Sequence, residues 1–122
     1  MTDLFSPTPE HQALRETVRR FVEAEVDPQA LEHDRDERFN FALFRKLADL
    51  GLLGLTVSEE YGGSGLDATA VTIVHEELAA ADPGFTLSYL AHTLLYANNL
   101  FVNASDEQRR RFLPDACSGK SI

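Results

Sequence analysis

Cysteine is nearly absent from this sequence, which has a single one, Cys117, among its 122 residues. One cysteine excludes an internal disulfide framework and fits a reducing cytoplasm. Because no Cys-His motif accompanies it, Cys117 is interpreted as a small helix residue and not as a nucleophile. No apolar run approaches the roughly 20 residues that a membrane-spanning helix needs. The first residues form neither a basic-then-apolar leader nor an Arg-rich amphipathic one, so a cytoplasmic location is expected.

Basic residues are also scarce: 11 Lys and Arg stand against 20 Asp and Glu, which gives a net charge of −9. No Lys or Arg occurs between Lys46 and Arg109. Nucleic acid and anionic membranes reward basic surfaces, so neither is expected as a partner. The middle of the chain therefore has no Lys or Arg side chain with which to bind a phosphate group. The acidic balance itself is interpreted mainly as a solubility feature.

What the sequence has in abundance is helical periodicity. Apolar residues recur at intervals of three and four, and Ser, Thr, Asp or Asn stands where helix N-termini are expected. Six helical segments and almost no strand predict one all-α domain over residues 1–122, an up-and-down bundle of about six helices. The predicted segments are a first helix from Pro9 after the cap Thr8, a short second one from Asp27-Pro28, a third from the cap Asn40 to the stop Gly51, a fourth from the cap Asp67 to about Ala81, a fifth from about Phe85 to Val102, and a last one from the capping box at Ser105 to Ser118-Gly119.

The same patterns predict several finer features. The fifth segment is apolar nearly all round, which is typical of a helix wrapped by other helices or by another domain. The apolar stretch 52–57 is expected to be extended and to lead into a glycine-rich loop at 58–65. In the last helix, Phe112, Leu113 and Ala116 are expected to face inward. Pro114 is expected to bend or restart that helix.

The glycine-rich loop matches a nucleotide-binding pattern in form. Residues 63–68 satisfy G-x-G-x-x-A, follow a strand-like stretch and open a helix. That helix, however, is followed by Pro83-Gly84 and another helix, where the pattern requires a second strand ending in an acidic residue. The sequence therefore favours a loop whose glycines allow tight packing over a nucleotide-binding turn.

Metal-binding and catalytic patterns are incomplete. His75-Glu76 begins like the zinc motif H-E-x-x-H, but Ala79 stands in place of the second histidine, so no metal site is expected. His92, in the apolar fifth helix, is interpreted as a hydrogen-bonded interior histidine. The adjacent pairs Glu59-Glu60 and Glu76-Glu77 need not converge on one substrate, because neighbouring residues point in different directions. The residues alone give no catalytic constellation.

The order of these pieces resembles the amino-terminal domain of the acyl-CoA dehydrogenases, and the resemblance spans the whole chain. LRETVRRF at 14–21 resembles the family's first helix, and LGLLGL at 50–55 running into EEYGG at 59–63 is its most recognisable local feature. Ser58 departs from the family, in which a proline commonly precedes the Glu-Glu-Tyr-Gly-Gly run. FLPDACSGK at 112–120 resembles the family's last helix before its β-domain.

Within the family, LSYLAH at 87–92 looks most like the isovaleryl-CoA dehydrogenase branch. The resemblance implies an FAD enzyme that oxidises an acyl-CoA of short or branched chain to its 2,3-enoyl form. In that reaction a glutamate removes the α-proton while the β-hydrogen leaves as hydride to flavin N5. Electron transfer flavoprotein then accepts the electrons, and the full-length enzyme is expected to be a homo-oligomer, a tetramer or a dimer.

In the family, the flavin is held mainly by the following β-domain and by the carboxy-terminal helical domain, which also supplies the base. Both are expected to lie beyond Ile122, so no catalytic residue is assigned in this sequence. The 122 residues alone are expected to be inactive. The end of the chain at 118–122, where the family's first β-domain strand would begin, favours a truncated chain.

The amino-terminal domain of such an enzyme contributes a wall of the acyl pocket, chiefly from its fifth helix. The candidate acyl-facing residues, taken over by position from the family, are Leu87, Ser88, Ala91 and Leu95, with Leu90 and Leu94 as further candidates. The spacing 87, 91 and 95, with 88, describes one helical face. The alternative for each is an ordinary core contact. Two other functions also stay open: an acyl-CoA oxidase-like flavoenzyme that passes electrons to oxygen, and a freestanding helical interaction or acyl-binding module without catalysis.

Overall fold

The computed structural model describes residues 3–122, and over these residues the chain is all-helical, as predicted. In chain order the helices are α1 (Pro9–Phe21), α2 (Asp27–Arg35), α3 (Phe41–Asp49), α4 (Ala68–Ala81), α5 (Pro83–Leu90), α6 (Asn99–Asn103) and α7 (Asp106–Ser118). A π-helical turn, Val22–Val26, joins α1 to α2, and a π-helical segment, Ala91–Asn98, joins α5 to α6. A 3-10 turn, Glu59–Tyr61, lies in the glycine-rich loop. No helix in the described part of the chain is both long and apolar enough to cross a membrane.

Helix ends follow the predicted capping chemistry. The Thr8 side chain accepts a hydrogen bond from the backbone of His11, and Pro9 is the first residue of α1. Ser105 and Gln108 form both hydrogen bonds of a capping box before α7. Gly119 ends α7 with a left-handed φ of 76°, a conformation that costs glycine little. These ends were predictable because each depends only on residues a few positions apart.

Two finer predictions were wrong, those for the stretch 52–57 and for Phe112. The stretch 52–57 is buried but lies in turns and is not extended: the amide of Leu52 donates to Leu47 and that of Val57 donates to Gly54. The buried backbone groups are satisfied partly within the turns and partly by the loop that follows, since the amides of Ser64, Leu66 and Gly65 donate to the carbonyls of Gly54, Leu55 and Val57. Phe112 does not face inward, because its side chain is 40% exposed. α7 runs through Pro114 without restarting.

The chain forms two compact units and passes between them after Asn40, after Asp67 and, within α5, after Leu87. Among the described residues, the first unit consists of 3–40 and Ala68–Leu87. In it, α1 and the π-helical turn pack against α4. Its buried residues include Val18, Val22 and Val26 from the first helical run and Ile73, Val74 and Leu78 from α4.

The second unit consists of Phe41–Asp67 and Ser88–Ile122. In it, α7 packs against the π-helical segment, α3, α6 and the 3-10 turn. One cluster of its core is formed by Val57, Tyr61, Ala97, Leu113 and Cys117. Cys117 is buried there, as expected for a small helix residue, and its burial raises the pKa of the thiol to about 11.

Candidate functional site

The six residues predicted to face an acyl chain lie on α5 and on the π-helical segment that continues it. Leu87 and Leu95 are 67% and 66% exposed, and Ala91 is exposed as well. The half-buried members are Ser88, Leu90 and Leu94. Leucine side chains left this accessible are available for contact with a ligand or with another domain. The exposure supports the predicted acyl-facing role without testing it.

The π-helical segment changes which residues share a face. In an α-helix a spacing of four overshoots one turn by roughly 40°. In a π-helix, with i→i+5 hydrogen bonds, each turn holds more than four residues, so the same spacing falls slightly short. Tyr89, Thr93 and Ala97, four apart across this transition, are all buried. A search for apolar residues at 3.6 residues per turn cannot distinguish a π-helical segment from an α-helix.

A cleft of about 450 Å³ opens beside the π-helical segment, within the second unit. It is lined by Ser88, Ala91, His92, Tyr96, Ser121 and Ile122. Of the predicted acyl-facing residues, the cleft includes Ser88 and Ala91; Leu90, Leu94 and Leu95 lie outside its lining, and Leu87 belongs to the first unit. Sequence reasoning missed Tyr96, Ser121 and Ile122 as members of this site. Ser121 and Ile122 lie more than 30 residues beyond Ser88 in the sequence, and no local pattern indicates that they meet it.

His92 lines this cleft and is fixed by one hydrogen bond and two ring contacts. Its Nε2 lies 2.9 Å from the backbone oxygen of Ala116, and because a carbonyl only accepts, Nε2 carries the proton and donates it. The imidazole is edge-on to the rings of Phe44 and Tyr96, with centroids 5.6 and 6.0 Å away. Burial lowers the pKa of His92 below its usual 6.5, although the bond to Ala116 opposes the shift. The prediction of a hydrogen-bonded interior histidine is confirmed.

The neighbouring Tyr89 is also structural. Its hydroxyl donates to the backbone oxygen of Leu52 at 2.7 Å, and the side chain is fully buried. Burial raises the pKa of this phenol far above its usual value of 10. Tyr89 therefore stays protonated at neutral pH and serves the packing of the second unit.

The glycine-rich loop uses its own backbone donors. The amides of Gly63 and Gly65 donate to the carbonyls of Ser58 and Val57 at 3.1 and 2.8 Å. A Cβ at Gly63 would overlap the backbone oxygen of Val57. A phosphate-binding turn needs free amides directed outward, and here these amides already donate to carbonyls of the loop and of the stretch before it. The interpretation of tight packing is confirmed at Gly63, whereas a Cβ at Gly65 would meet open space.

The acidic pair Glu76-Glu77 converges on arginines of α1. Arg15 donates to Glu76 at 2.9 Å and to Glu77 at 2.8 Å, and Arg19 also binds Glu77 at 2.9 Å. Hydrogen bonds from Arg19, and then those from Arg15, hold the pKa of Glu77 below its ordinary value even though burial opposes this. A carboxylate so neutralised is poorly suited to act as a base, so the pair joins α4 to α1 and is structural.

The cleft does not fit FAD by itself. The six residues that line it include no Lys or Arg, and the one histidine among them is held neutral, so nothing there balances the charge of the FAD diphosphate. No group of three or more His, Cys, Asp or Glu within residues 3–122 is arranged to hold a metal ion. The lining of the cleft is apolar apart from the imidazole of His92 and the hydroxyl groups of Ser88, Tyr96 and Ser121.

Comparison with known proteins identifies the family to which this chain belongs. The family model for the acyl-CoA dehydrogenase N-terminal domain matches residues 8–120. The chain therefore belongs to the acyl-CoA dehydrogenase family. Mitochondrial isovaleryl-CoA dehydrogenase of Pongo abelii is 39% identical over 115 residues, which are 93% of this chain and 27% of that protein.

Solved structures agree with this assignment. An acyl-CoA dehydrogenase from Bacillus anthracis, complexed with FAD, matches with a TM-score of 0.86 and 31% identity over 93% of this chain and 19% of that one. A chain from the structural work on the electron transferring flavoprotein of Acidaminococcus fermentans matches with a TM-score of 0.89 and 27% identity. That match covers 94% of this chain and 30% of the other. The chain thus spans less than a third of the length of the curated relatives it matches.

Proposed function

We propose that this chain is the amino-terminal part of an FAD-dependent acyl-CoA dehydrogenase that oxidises a short or branched acyl-CoA to the 2,3-enoyl-CoA. The exposed side of the π-helical segment carries the proposal, because Leu95 leaves two thirds of its surface uncovered beside the exposed Ala91 in a chain of this family. An acyl tail gains about 0.8 kcal/mol for each CH₂ it buries on such a surface. The similarity to isovaleryl-CoA dehydrogenase supports a branched substrate.

The chemistry of the reaction belongs to parts outside these 122 residues. FAD, when bound in the complete protein, would accept the hydride, and electron transfer flavoprotein would take the electrons onward. The residues of this chain bind the acyl chain and exclude water from it, because the apolar face around Ala91 and Leu95 packs against the acyl chain. We further propose a cytoplasmic location and a homo-oligomeric complete protein.

The test is a flavin assay on the purified complete protein. Bound FAD is measured by absorbance, and anaerobic bleaching is followed after adding isovaleryl-CoA, butyryl-CoA or palmitoyl-CoA. We expect FAD to be bound and to be reduced fastest by the isovaleryl or butyryl ester. Re-oxidation should be fast with electron transfer flavoprotein and slow with air. Light scattering during chromatography measures the oligomeric state.

Three outcomes would contradict the proposal. A complete protein without FAD, or with FAD that no acyl-CoA reduces, would favour a non-catalytic acyl-binding or interaction module. Rapid re-oxidation by air would favour an oxidase-like flavoenzyme. Preference for palmitoyl-CoA would leave the reaction in place and overturn the substrate class.

A further inference from the structure

A second cleft, of about 310 Å³, opens within the first unit beside the end of α2, and it is called the α2 cleft below. Its lining comes from α2, from the residues between α2 and α3, and from the stretch that joins α4 to α5. None of the six predicted acyl-facing residues lines it. The α2 cleft therefore has no part in the proposed function, and the two can be tested independently.

Part of the lining is a hydrogen-bonded network of polar side chains. The side chain of Gln29 donates to one carboxylate oxygen of Asp82 at 3.1 Å and accepts from the side-chain amide of Asn40 at 3.2 Å. The other carboxylate oxygen of Asp82 accepts from the backbone amide of Phe85 at 3.0 Å. These bonds join α2 to the start of α5 and to the residue before α3. The cleft is thus shaped before a ligand enters, which lowers the entropic cost of binding.

Phe39 adds an aromatic surface to the lining. Its ring stacks on the ring of Phe85, with centroids 5.9 Å apart and an angle of 19° between the planes. Phe85 is buried, whereas Phe39 keeps 37% of its surface exposed. A ring that is supported by a buried neighbour and still accessible can bind the flat face of a planar cation.

The charge of the lining selects the sign of the ligand. Its carboxylates are those of Asp34, Glu37 and Asp82, and its one Lys or Arg side chain is that of Arg38. Arg38 forms ion pairs with Asp36 at 3.2 Å and with Glu32 at 3.8 Å, and neither of these acids lines the cleft. The α2 cleft therefore carries an excess of negative charge, which favours a cation and disfavours a phosphate or a carboxylate.

Glu37 is held in the lining at a cost to the backbone. Its φ is 52°, in the left-handed region. The amide of Glu37 donates to the carbonyl of Asp34 at 3.1 Å, and the amide of Arg38 donates to that of His33 at 2.9 Å. This pair of bonds is the Schellman end of a helix, in which glycine is the usual residue at the left-handed position. The chain thus places a carboxylate where glycine would be less strained.

We propose that the α2 cleft binds a guanidinium group, carried by a small molecule or by an arginine side chain of a partner protein. A guanidinium is planar and weakly hydrated, so it stacks on Phe39 while its N–H groups donate to the carboxylates of Glu37 and Asp34. An ammonium group matches the charge but has no flat face to stack. A metal ion is not matched, since no three His, Cys, Asp or Glu side chains within residues 3–122 are arranged as its ligands.

Isothermal titration calorimetry of the complete protein at low ionic strength tests the proposal, because salt screens such a contact. The probe is n-butylguanidinium, and n-butylurea, which has nearly the same shape without the charge, is its control. We expect one site per chain for n-butylguanidinium and no measurable binding of n-butylurea. Equal binding of the two probes, or no binding of n-butylguanidinium, would overturn the proposal.

A capped Gly-Gly-Arg-Gly-Gly peptide distinguishes the two sources of the group. It carries the same single charge as n-butylguanidinium but presents it as a polypeptide does. Tighter binding of the peptide assigns the site to an arginine of a partner protein, and weaker binding assigns it to a small molecule.

Two substitutions of Glu37 separate a binding role from a structural one. Glu37→Gln removes the charge and keeps the length of the side chain, so n-butylguanidinium should bind about tenfold more weakly. Glu37→Gly should weaken binding as much but raise the midpoint of thermal unfolding, because glycine relieves the strained φ. A residue with only a structural role would not change binding and stability in opposite directions.

Two further variants complete the experiment. Phe39→Leu keeps an apolar side chain but removes the ring, and should weaken binding about threefold. Glu10→Gln removes an exposed carboxylate of the same unit that lies outside the lining, and should leave binding unchanged. Binding that is the same in Glu37→Gln as in wild type, or that falls equally in Glu10→Gln, would place the probe elsewhere on this acidic chain and contradict the proposed site.

Discussion

The side chain of His92 donates from Nε2 to the backbone oxygen of Ala116 at 2.9 Å. Ala116 belongs to the last turn of α7, where helix carbonyls have no partner further along the helix. One buried imidazole of the π-helical segment thus satisfies a carbonyl at the end of another helix and supports the wall of the cleft. The relationship makes the stability of the second unit depend on a neutral histidine.

Replacing His92 by Phe should destabilise the chain by about 1–3 kcal/mol. Phe keeps an aromatic ring against Phe44 and Tyr96 but removes the donor, so the carbonyl of Ala116 loses its partner. The free energy of unfolding from urea titrations at pH 7.5 measures the loss. Tyr96→Phe, which removes a hydroxyl from a partly exposed residue, should stay within about 0.5 kcal/mol of wild type. Equal stability of His92→Phe and wild type would show that the hydrogen bond contributes nothing.

The stabilising effect of His92 should also depend on pH. Its pKa is lower in the folded chain than the unfolded value of 6.5, so the unfolded state takes up the proton first. Stability from this residue is therefore full above pH 6.5 and falls as pH drops below that value. Urea midpoints at pH 7.5, 6.5 and 5.5 should show wild type losing its advantage over His92→Phe. An advantage that grows toward pH 5.5 would contradict the sign of this shift.

Replacing Glu77 by Gln should cost about 2 kcal/mol at pH 7, because it leaves the guanidinium groups of Arg15 and Arg19 without their shared carboxylate. Folding depresses the pKa of Glu77, so its contribution is present above the unfolded pKa of about 4.3 and is lost as pH falls further. Glu76→Gln is the control, since Glu76 is half-exposed and its ion pair among residues 3–122 is with Arg15 alone, which also binds Glu77. Its loss should be clearly smaller in the same denaturation experiment.

Gly63→Ala should destabilise the chain by about 3 kcal/mol, at the upper end of overpacking costs. The added methyl group would overlap the backbone oxygen of Val57, which cannot rotate away as a side chain could. Gly65→Ala tests backbone strain alone, because its φ is +61° and no atom lies within 4 Å of the added Cβ. About 1 kcal/mol is expected there. Thermal unfolding that ranks Gly65→Ala as the worse variant would contradict the packing argument.

In the complete protein, Leu95→Ala should lower kcat/KM for a branched acyl-CoA roughly tenfold, equal to about 1.4 kcal/mol of lost apolar contact. Folding should be unaffected, because Leu95 is 66% exposed and its truncation leaves no cavity within the unit. Leu31→Ala, at an 85% exposed position of α2, is the matched control and should change neither quantity. An equal loss for acyl chains of every length would assign Leu95 to a structural contact with another domain.

The all-helical fold, the family and most helix ends could be predicted from the sequence. Thr8, Ser105 and Gly119 act on groups within a few positions of themselves, so their residue types suffice to place a helix end. His92 as a satisfied interior residue was also predictable, since a polar side chain in an apolar helix must find a partner. The partner itself, Ala116, was not.

The contacts between residues that are distant in the sequence could be seen only in the tertiary structure. The change to π-helical geometry at Ala91 is not visible in a sequence pattern of 3.6 residues per turn. Arg15 and Glu77 are 62 residues apart, and Ser88 and Ile122 also meet at one cleft from distant points of the chain. A local pattern fixes hydrogen bonds along one helix, whereas such encounters are selected by how several helices bury their apolar faces together. The sequence therefore determined the helices and the family, and the tertiary structure decided which side chains form the cleft and which remain exposed on the proposed acyl surface.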